Sequence, residues 1–281
     1  MNYRHIYHAG NFADVLKHIL LTRALIYLMR KEAPLRYFDT HAGAGLYKID
    51  RDEAERTGEW SEGVGRMLAA AAPQSVQDLL APWFEAAGLN SENARTLYPG
   101  SPVLAQRLLR RDDRLMLSEL HPADAKMLTR AIGRDKRVKA INIDGYVALN
   151  AWAPPLERRG LVLIDPPFEA PDEFTRLLAA LDSAWRKWPT GTYMIWYPRK
   201  DLPAVGRFKT DLVKTGVRRM LCIEQDVEDV AASQTLAGSG LVIVNPPFGL
   251  EDEARTILPF LTQTLARGPG ASWRVDWLAG E

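Results

Sequence analysis

The chain has 281 residues, of which 47% are hydrophobic, and 36 Lys and Arg stand against 35 Asp and Glu. This composition excludes a disordered chain, because so apolar a sequence with a net charge of +1 can bury enough surface to offset its ordering entropy. The single cysteine, Cys222, excludes a disulfide framework and a cysteine-built zinc or iron–sulfur site, and it is typical of a cytoplasmic protein.

The first eleven residues are aromatic and basic rather than apolar. The segment from Tyr3 to Asn11 is rich in Tyr, His and Arg, and a helical pattern begins near Asp14. No secretory signal is expected, and no bilayer span, because the apolar run 19–29 contains Arg23 and has about half of the roughly 20 residues required. Aromatic rings beside cations suit nucleic-acid bases and phosphates, so we expect a nucleic-acid contact here.

Seven short apolar runs, bounded by turn signals and separated by helical patterns, predict a doubly wound sheet. We expect an α/β, Rossmann-like domain with a seven-stranded, mostly parallel sheet. The runs are 35–39, 115–119, 139–144, 161–165, 193–197, 219–224 and 240–245.

The first two runs are about 70 residues apart, more than a strand–helix–strand crossover requires. Residues 50–98 are acidic and Ala-rich with helical periodicity, which predicts an inserted small helical subdomain. The Rossmann-like domain then comprises 1–49 and 99–281, and we expect residues 1–18 to contact substrate and cofactor.

Acidic residues and glycines follow the first three predicted strands. Asp39 and a glycine turn follow the first strand, Glu119 the second, and Asp144-Gly145 the third. In an open parallel sheet, ligands bind beyond these strand ends, where a carboxylate suits a ribose diol and Asp-Gly suits an adenine amino group. This layout predicts an S-adenosylmethionine site. A dinucleotide site is the alternative, but the run 43–48 lacks G-x-G-x-x-G.

The fourth strand ends in Asp165-Pro166-Pro167-Phe168. The Asp165 carboxylate and the Pro166 carbonyl can accept both N–H bonds of an exocyclic amine, because the prolines fix the turn. Phe168 can stack on a base that has been flipped out. The pattern therefore favours methyl transfer to the amino group of a nucleic-acid base.

A second copy of this pattern, Asn245-Pro246-Pro247-Phe248, follows the seventh strand. Asn can also accept from an amine, so this copy is an alternative site. The strand beside the first one at the switch point is the fourth, so we place the site at Asp165 and predict a turn at Asn245.

Positive charge is concentrated in two segments, which carry +3 (residues 1–41) and +5 (residues 107–139). We expect both segments to lie around the donor and base sites. That distribution predicts modest, site-focused nucleic-acid binding with a shallow salt dependence.

Six motifs occur in an order that resembles the ribosomal RNA large subunit methyltransferase J family. They are Y-R-H-x-Y-H-A-G-N-x-A-D-V-L-K-H from Tyr3, D-T-H-A-G-A-G from Asp39, Y-P-G-S-P from Tyr98, S-E-L-H-P from Ser118, L-I-D-P-P-F ending at Phe168, and W-Y-P from Trp196. One departure is Phe168, where the family pattern has Tyr; stacking survives this change, but a hydrogen bond from the hydroxyl does not.

The resemblance implies S-adenosylmethionine-dependent N6-methylation of a specific adenine in 23S rRNA. The implied donor-site residues are His18, His41, Ser101, Glu119, Asp144, Gly145 and Asp165. Asp165 would also be catalytic, and Tyr3 would contact the RNA. With Tyr3 we expect His5, Lys17, Pro166 and Phe168 to bind the substrate.

The expected enzyme is a cytoplasmic monomer without metal or membrane contact, acting on 23S rRNA that is protein-free or at an early stage of assembly. Two alternatives stay open. One is a DNA adenine N6-methyltransferase, because D-P-P-[FY] does not distinguish RNA from DNA. The other is a non-catalytic RNA-binding or ribosome-assembly factor, against which the presence of Asp165 and the whole donor series argues.

Overall fold

A computed structural model describes residues 8–49, 58–91, 94 and 96–280. Tyr3 and His5, both predicted to bind substrate, lie outside the described residues. The strands are β1 Arg36–Asp39, β2 Leu46–Lys48, β3 Leu97–Pro99, β4 Arg114–Ser118, β5 Val138–Ile141, β6 Gly160–Ile164, β7 Thr192–Pro198, β8 Met220–Asp226, β9 Gly238–Val244 and β10 Ser272–Ala279. The helices are α1 Phe12–Met29, α2 Arg66–Ala69, α3 Gln74–Ala87, α4 Ser101–Leu108, α5 Pro122–Ile132, α6 Gly145–Trp152, α7 Glu173–Lys187, α8 Leu202–Lys214 and α9 Leu250–Leu265.

Eight strands form the main sheet in the order β10-β8-β9-β7-β6-β1-β4-β5. The α/β, Rossmann-like prediction is confirmed, and each of the seven predicted strands is present within a few residues of its expected bounds. The predicted number of seven is too low, because β10 adds an eighth strand that pairs antiparallel with β8. A two-stranded ribbon of β2 and β3, at the base of the insertion, was also not predicted.

Strand β9 runs against its neighbours β7 and β8. The described link between β8 and β9, residues 227–237, contains no helix. A parallel connection needs a crossover of a dozen or more residues, commonly a helix, so this link suits an antiparallel pair. The end of β9 therefore lies at the opposite edge of the sheet from the ends of β1, β4 and β6.

Alternate residues of the central strands pack into two hydrophobic layers. In β6, Leu161 and Leu163 belong to the layer that contains α1 and α9, whereas Val162 and Ile164 belong to the layer that contains α7 and α8. This alternation follows from the period of two in a strand and from burial on both faces. It holds the carboxyl ends of the strands in fixed register.

The predicted helices of the insertion are present as a π-helical turn, Ser61–Gly65, followed by α2 and α3. Their buried side chains, among them Val64 and Trp83, join the same hydrophobic cluster as α1 and α9. The described part of the insertion therefore packs on the main domain rather than around a core of its own. The domain boundaries at residues 50 and 98 stay predictions.

Candidate active site

A cavity of about 510 Å³ opens at the carboxyl edge of the parallel strands. Ligand pockets commonly fall in the range of about 300–1,000 Å³. Ten of the predicted site residues line this cavity: Lys17, His18, His41, Ser101, Glu119, Asp144, Gly145, Asp165, Pro166 and Phe168. The fold therefore brings together residues that are up to about 150 positions apart in the sequence.

The turn after β1 positions Glu119. Gly43 has a left-handed backbone (φ 61°), and a Cβ there would lie 2.2 Å from the Tyr47 hydroxyl oxygen, so glycine is required. The Gly43 N–H donates to Glu119 Oε2 at 2.8 Å, and the His121 N–H donates to Oε1 at 2.7 Å. Both oxygens of Glu119 are thereby fixed at the cavity wall. Burial raises the pKa of this carboxyl, although the two N–H donors oppose the shift.

Asp39, at the end of β1, is fully buried behind the cavity. Its Oδ2 accepts hydrogen bonds from the Ser101 hydroxyl at 2.7 Å and the Tyr37 hydroxyl at 2.8 Å. Burial raises the pKa of Asp39 to about 6, against the lowering effect of these donors. Ser101 is thus oriented by a carboxylate that sequence reasoning placed at the strand end but did not assign to this role.

Asp144 caps the N-terminus of α6. Its Oδ1 accepts from the backbone N–H groups of Tyr146 (2.9 Å) and Val147 (3.1 Å), and its Oδ2 accepts from Arg176 Nη2 at 3.1 Å. The Arg176 guanidinium also lies over the Tyr146 ring, 5.0 Å from its centroid. Gly145 has a packing reason to be glycine, since a Cβ there would lie 2.1 Å from the Thr40 carbonyl oxygen.

Asp165, after β6, shares Lys17 with a second carboxylate. Lys17 Nζ lies 2.5 Å from Asp165 Oδ2 and 2.7 Å from Asp14 Oδ1. Burial alone would lower the pKa of Lys17, but the Asp14 and Asp165 carboxylates more than reverse that effect and raise it. Lys17 is therefore a buried cation in the cavity wall. A basic N-terminal segment suggests an exposed lysine that binds phosphate, whereas Lys17 is buried.

Two histidines line the cavity in buried surroundings. His18 Nδ1 lies 2.7 Å from the Tyr98 hydroxyl, and His41 Nδ1 lies 2.8 Å from the Thr40 hydroxyl. Burial lowers the pKa of His41 to about 4, against the opposing effect of the Asp165 and Asp144 carboxylates. His41 is therefore neutral at physiological pH and offers its ring as a hydrogen-bonding group without charge.

Phe168 forms one apolar wall of the cavity. Its ring centroid lies 4.9 Å from that of Phe174 and 5.8 Å from that of Trp196. Phe168 has a left-handed backbone (φ 51°), uncommon for an aromatic residue, which turns the chain sharply after the two prolines. The result is an aromatic surface next to the Asp165 carboxylate.

Asn245 does not reach the cavity. Its Nδ2 donates at 2.8 Å to the carbonyl oxygens of Pro189 and Gly191, in the loop before β7. Because β9 is antiparallel, this turn lies at the amino edge of the parallel strands. The predicted turn at Asn245 is present, and it lies away from the cavity that Asp165 lines.

Sequence reasoning did not select Asp14, Tyr98 or Arg176, which contact predicted site residues. Asp14 was detectable in part, because it precedes Lys17 and His18 by three and four residues on one helical face. Tyr98 and Arg176 contact partners 80 and 32 positions away. No local pattern signals contacts of that range.

Within the described residues, no group of three or more His, Cys, Asp or Glu side chains could hold a metal ion. Among the helices that can be described, none combines the length and apolarity of a membrane span.

The sheet order with its reversed β9, and a cavity lined by carboxylates at the strand ends, define a Rossmann-like α/β fold with a ligand site at the carboxyl edge of its parallel strands. A crystal structure of a Legionella pneumophila protein superimposes with a TM-score of 0.87 at 34% identity, covering 96% of this chain and 98% of that chain. A probable spermidine synthase from Corynebacterium glutamicum shares the fold alone, with a TM-score of 0.53 at 14% identity, covering 94% of this chain and 74% of that one.

Two relatives, each named ribosomal RNA large subunit methyltransferase J, align over the full length of both chains. The protein from Haemophilus influenzae is 39% identical and the one from Escherichia coli is 37% identical. The family model described as "Ribosomal RNA large subunit methyltransferase D, RlmJ" matches residues 32–279. The chain belongs to this family and is a methyltransferase.

Proposed function

We propose that this protein transfers a methyl group from S-adenosylmethionine to N6 of a specific adenine in 23S rRNA. The observation that carries the proposal is that Asp165-Pro166-Pro167-Phe168 lines the same cavity as Glu119 and Asp144. An amine acceptor and a nucleoside-binding pair of carboxylates thus share one chamber. The names of the two full-length relatives support large-subunit rRNA as the substrate.

The charge of the cavity wall fits the cationic donor. Seven carboxylates and three Lys or Arg line the cavity, so the wall has an excess of negative charge. When bound, S-adenosylmethionine would supply a methyl group on a positively charged sulfur and depart as an uncharged thioether. Glu119 would accept from the ribose hydroxyls and Asp144 from the adenine amino group, with His18, His41 and Ser101 completing the donor site.

Asp165 would orient the target amine. Lys17 holds Oδ2, so we assign Oδ1 to accept one N–H of the amine while the Pro166 carbonyl accepts the other. With both N–H bonds held, the amine would present its lone pair for attack on the donor's methyl carbon, so that the C–N bond would form as the S–C bond breaks. Asp165 then takes the proton that the nitrogen loses. Phe168 would stack on the flipped adenine.

The loop before α1 lies at the rim of the same cavity, which favours an RNA contact by the preceding residues. His8 Nδ1 and Asn11 Nδ2 both lie 3.0 Å from the Glu59 carboxylate, and His8, Asn11 and Glu59 all line the cavity. Tyr3 and His5 immediately precede this loop in the sequence. We assign them to the substrate on that ground.

The test is transfer of tritium from labelled S-adenosylmethionine to protein-free 23S rRNA, with duplex DNA of equal adenine content as the matched substrate. We expect counts in RNA, and N6-methyladenosine after nuclease digestion. Counts in DNA alone would favour the DNA methyltransferase. No transfer, together with no donor binding by calorimetry, would favour the non-catalytic RNA-binding factor.

A further inference from the structure

Lys17 contacts two carboxylates, those of Asp14 and Asp165, in the wall of the cavity. Asp14, Lys17 and Asp165 line the cavity, and their side chains are 3%, 4% and 13% exposed. The charges of these three side chains, two carboxylates and one ammonium, sum to −1, and His18 Nε2 lies 3.9 Å from Asp14 Oδ1. Without Asp14, the pair of Lys17 and Asp165 would have no net charge.

Three contacts hold Asp14 in place beside Lys17. Its Oδ1 contacts Lys17 Nζ, and its Oδ2 accepts the backbone N–H of Gly10 at 2.9 Å. The Asn11 side chain caps the helix by accepting from the Asp14 N–H at 3.0 Å. The contacts with Lys17 and Gly10 fix the carboxylate on the cavity side of α1, so its charge acts at a defined place in a region of low dielectric.

We propose that Asp14 is a specificity-determining residue that favours the cationic methyl donor over its neutral product. The inference rests on the proposed use of S-adenosylmethionine. The donor loses its positive charge when the methyl group leaves, so the negative charge of the buried Asp14 carboxylate stabilises the bound donor more than it stabilises S-adenosylhomocysteine. Asp14 also divides the Lys17 charge between two carboxylates, which keeps Asp165 a better acceptor for the amine than it would be as the sole partner.

The experiment compares binding of S-adenosylmethionine and S-adenosylhomocysteine to the wild-type protein and to Asp14→Asn by titration calorimetry. Asn keeps one oxygen for the Gly10 N–H, removes the charge, and replaces the oxygen that contacts Lys17 with an amide NH2. We expect the donor-to-product affinity ratio to fall roughly tenfold, the effect of one unit charge in a cavity of this size at an effective dielectric constant of about 20. Asp14→Glu, which restores the charge, should recover most of the ratio.

The matched control is Asp201→Asn, a helix-capping carboxylate outside the cavity, which should leave both affinities unchanged. Equal loss of affinity for both ligands in Asp14→Asn, or an unchanged ratio, would overturn the inference. If Asp14→Asn does not fold, Asp165→Asn removes one charge from the same cluster and should lower the ratio similarly; an unchanged ratio there also overturns it. Failure of the wild-type protein to bind either ligand would instead overturn the proposed function.

Discussion

Asp39 is the residue whose protonation is most closely tied to the fold around the site. Its carboxyl is fully buried, with the Ser101 and Tyr37 hydroxyls donating to one oxygen. The pKa of about 6 lies above the ordinary 3.8, because burial disfavours the charged form. The folded protein therefore holds this proton at pH values where the unfolded chain has lost it.

The raised pKa of Asp39 makes the free energy of unfolding depend on pH. The stabilisation linked to the raised pKa is fully present below pH 3.8 and is lost as the pH rises through about 6. A pKa that is higher by about 2 in the folded protein corresponds to roughly 3 kcal/mol in the free energy of unfolding. In Asp39→Asn the linkage is absent, so the free energy of unfolding of the variant relative to wild type should rise by up to this amount between pH 4 and pH 7.

Urea unfolding at both pH values measures this difference. A gap between Asp39→Asn and wild type that is independent of pH would show that Asp39 does not titrate in this window. The lowered pKa of His41, about 4, gives the opposite slope in both curves, so its contribution cancels in the difference between the two proteins.

The insertion is joined to the loop before α1 at Gly63, where the two backbones lie in close contact. The Val64 N–H donates to the Gly10 carbonyl at 2.9 Å, and a Cβ on Gly63 would lie 2.1 Å from that same oxygen. The contact is between two backbones, so neither side can yield by a change of rotamer. Gly10 in turn donates to Asp14, so this joint also supports the site.

We therefore expect Gly63→Ala to lower the free energy of unfolding by about 1–3 kcal/mol, the usual cost of overpacking. Gly206→Ala is the matched control, because it lies inside α8 with no atom within 4 Å of its would-be Cβ. That change should raise the free energy of unfolding by about 0.5–1 kcal/mol, since alanine favours helix more than glycine does. Urea titrations that give both variants the same stability would contradict the close approach.

The sequence predicts the central strands well, because they are continuous apolar runs that only a strand buried on both faces requires. It does not predict β10, in which only Val275 is buried. An edge strand with one buried residue has no apolar run to detect. The reversal of β9 had a detectable signal, namely the short helix-free link before it, but the expectation of alternating strands and helices overrode that signal.

At the site, too, the sequence predicts the residues at strand ends but not the contacts between distant elements. Asp39, Glu119, Asp144 and Asp165 were selected because strand ends are visible in a sequence and parallel strands bring those ends to one edge. The pairing of Lys17 with Asp165 spans 148 positions and depends on how α1 packs across the sheet. That packing is a tertiary property, which no spacing along the chain encodes.

Across the whole molecule, the basic segment 107–139 lies mostly away from the cavity. Arg110 donates to the carbonyl oxygens of Met29, Lys31 and Ala33, at the amino edge of the sheet. Arg137 binds Asp135 and the carbonyl oxygen of Gln106. The expectation that the positive charge of this segment surrounds the donor and base sites is therefore wrong, because none of the Lys or Arg residues of 107–139 lines the cavity.

This placement strengthens the expectation of a shallow salt dependence for binding of the proposed RNA substrate. Lys200 is exposed and lines the cavity, whereas Arg111 and Arg134 are exposed at the other edge. Lys200→Ala should reduce the slope of log affinity against log salt by about 0.7, the value for one phosphate of a single strand. The double variant Arg111→Ala and Arg134→Ala should leave the slope unchanged. A steep wild-type slope, or a larger effect of the double variant, would place the RNA on the other face.

The central claim is that Asp165 at the end of β6 directs methylation of a 23S rRNA adenine, and mass-spectrometric mapping of that RNA tests it most directly. The RNA would come from cells lacking this gene and carrying wild type, Asp165→Ala or Asn245→Ala at equal protein levels. We predict that one N6-methyladenine is lost without the gene and is restored by wild type and Asn245→Ala but not by Asp165→Ala. Restoration by Asp165→Ala, or a methylation map that does not change when the gene is removed, would contradict the account.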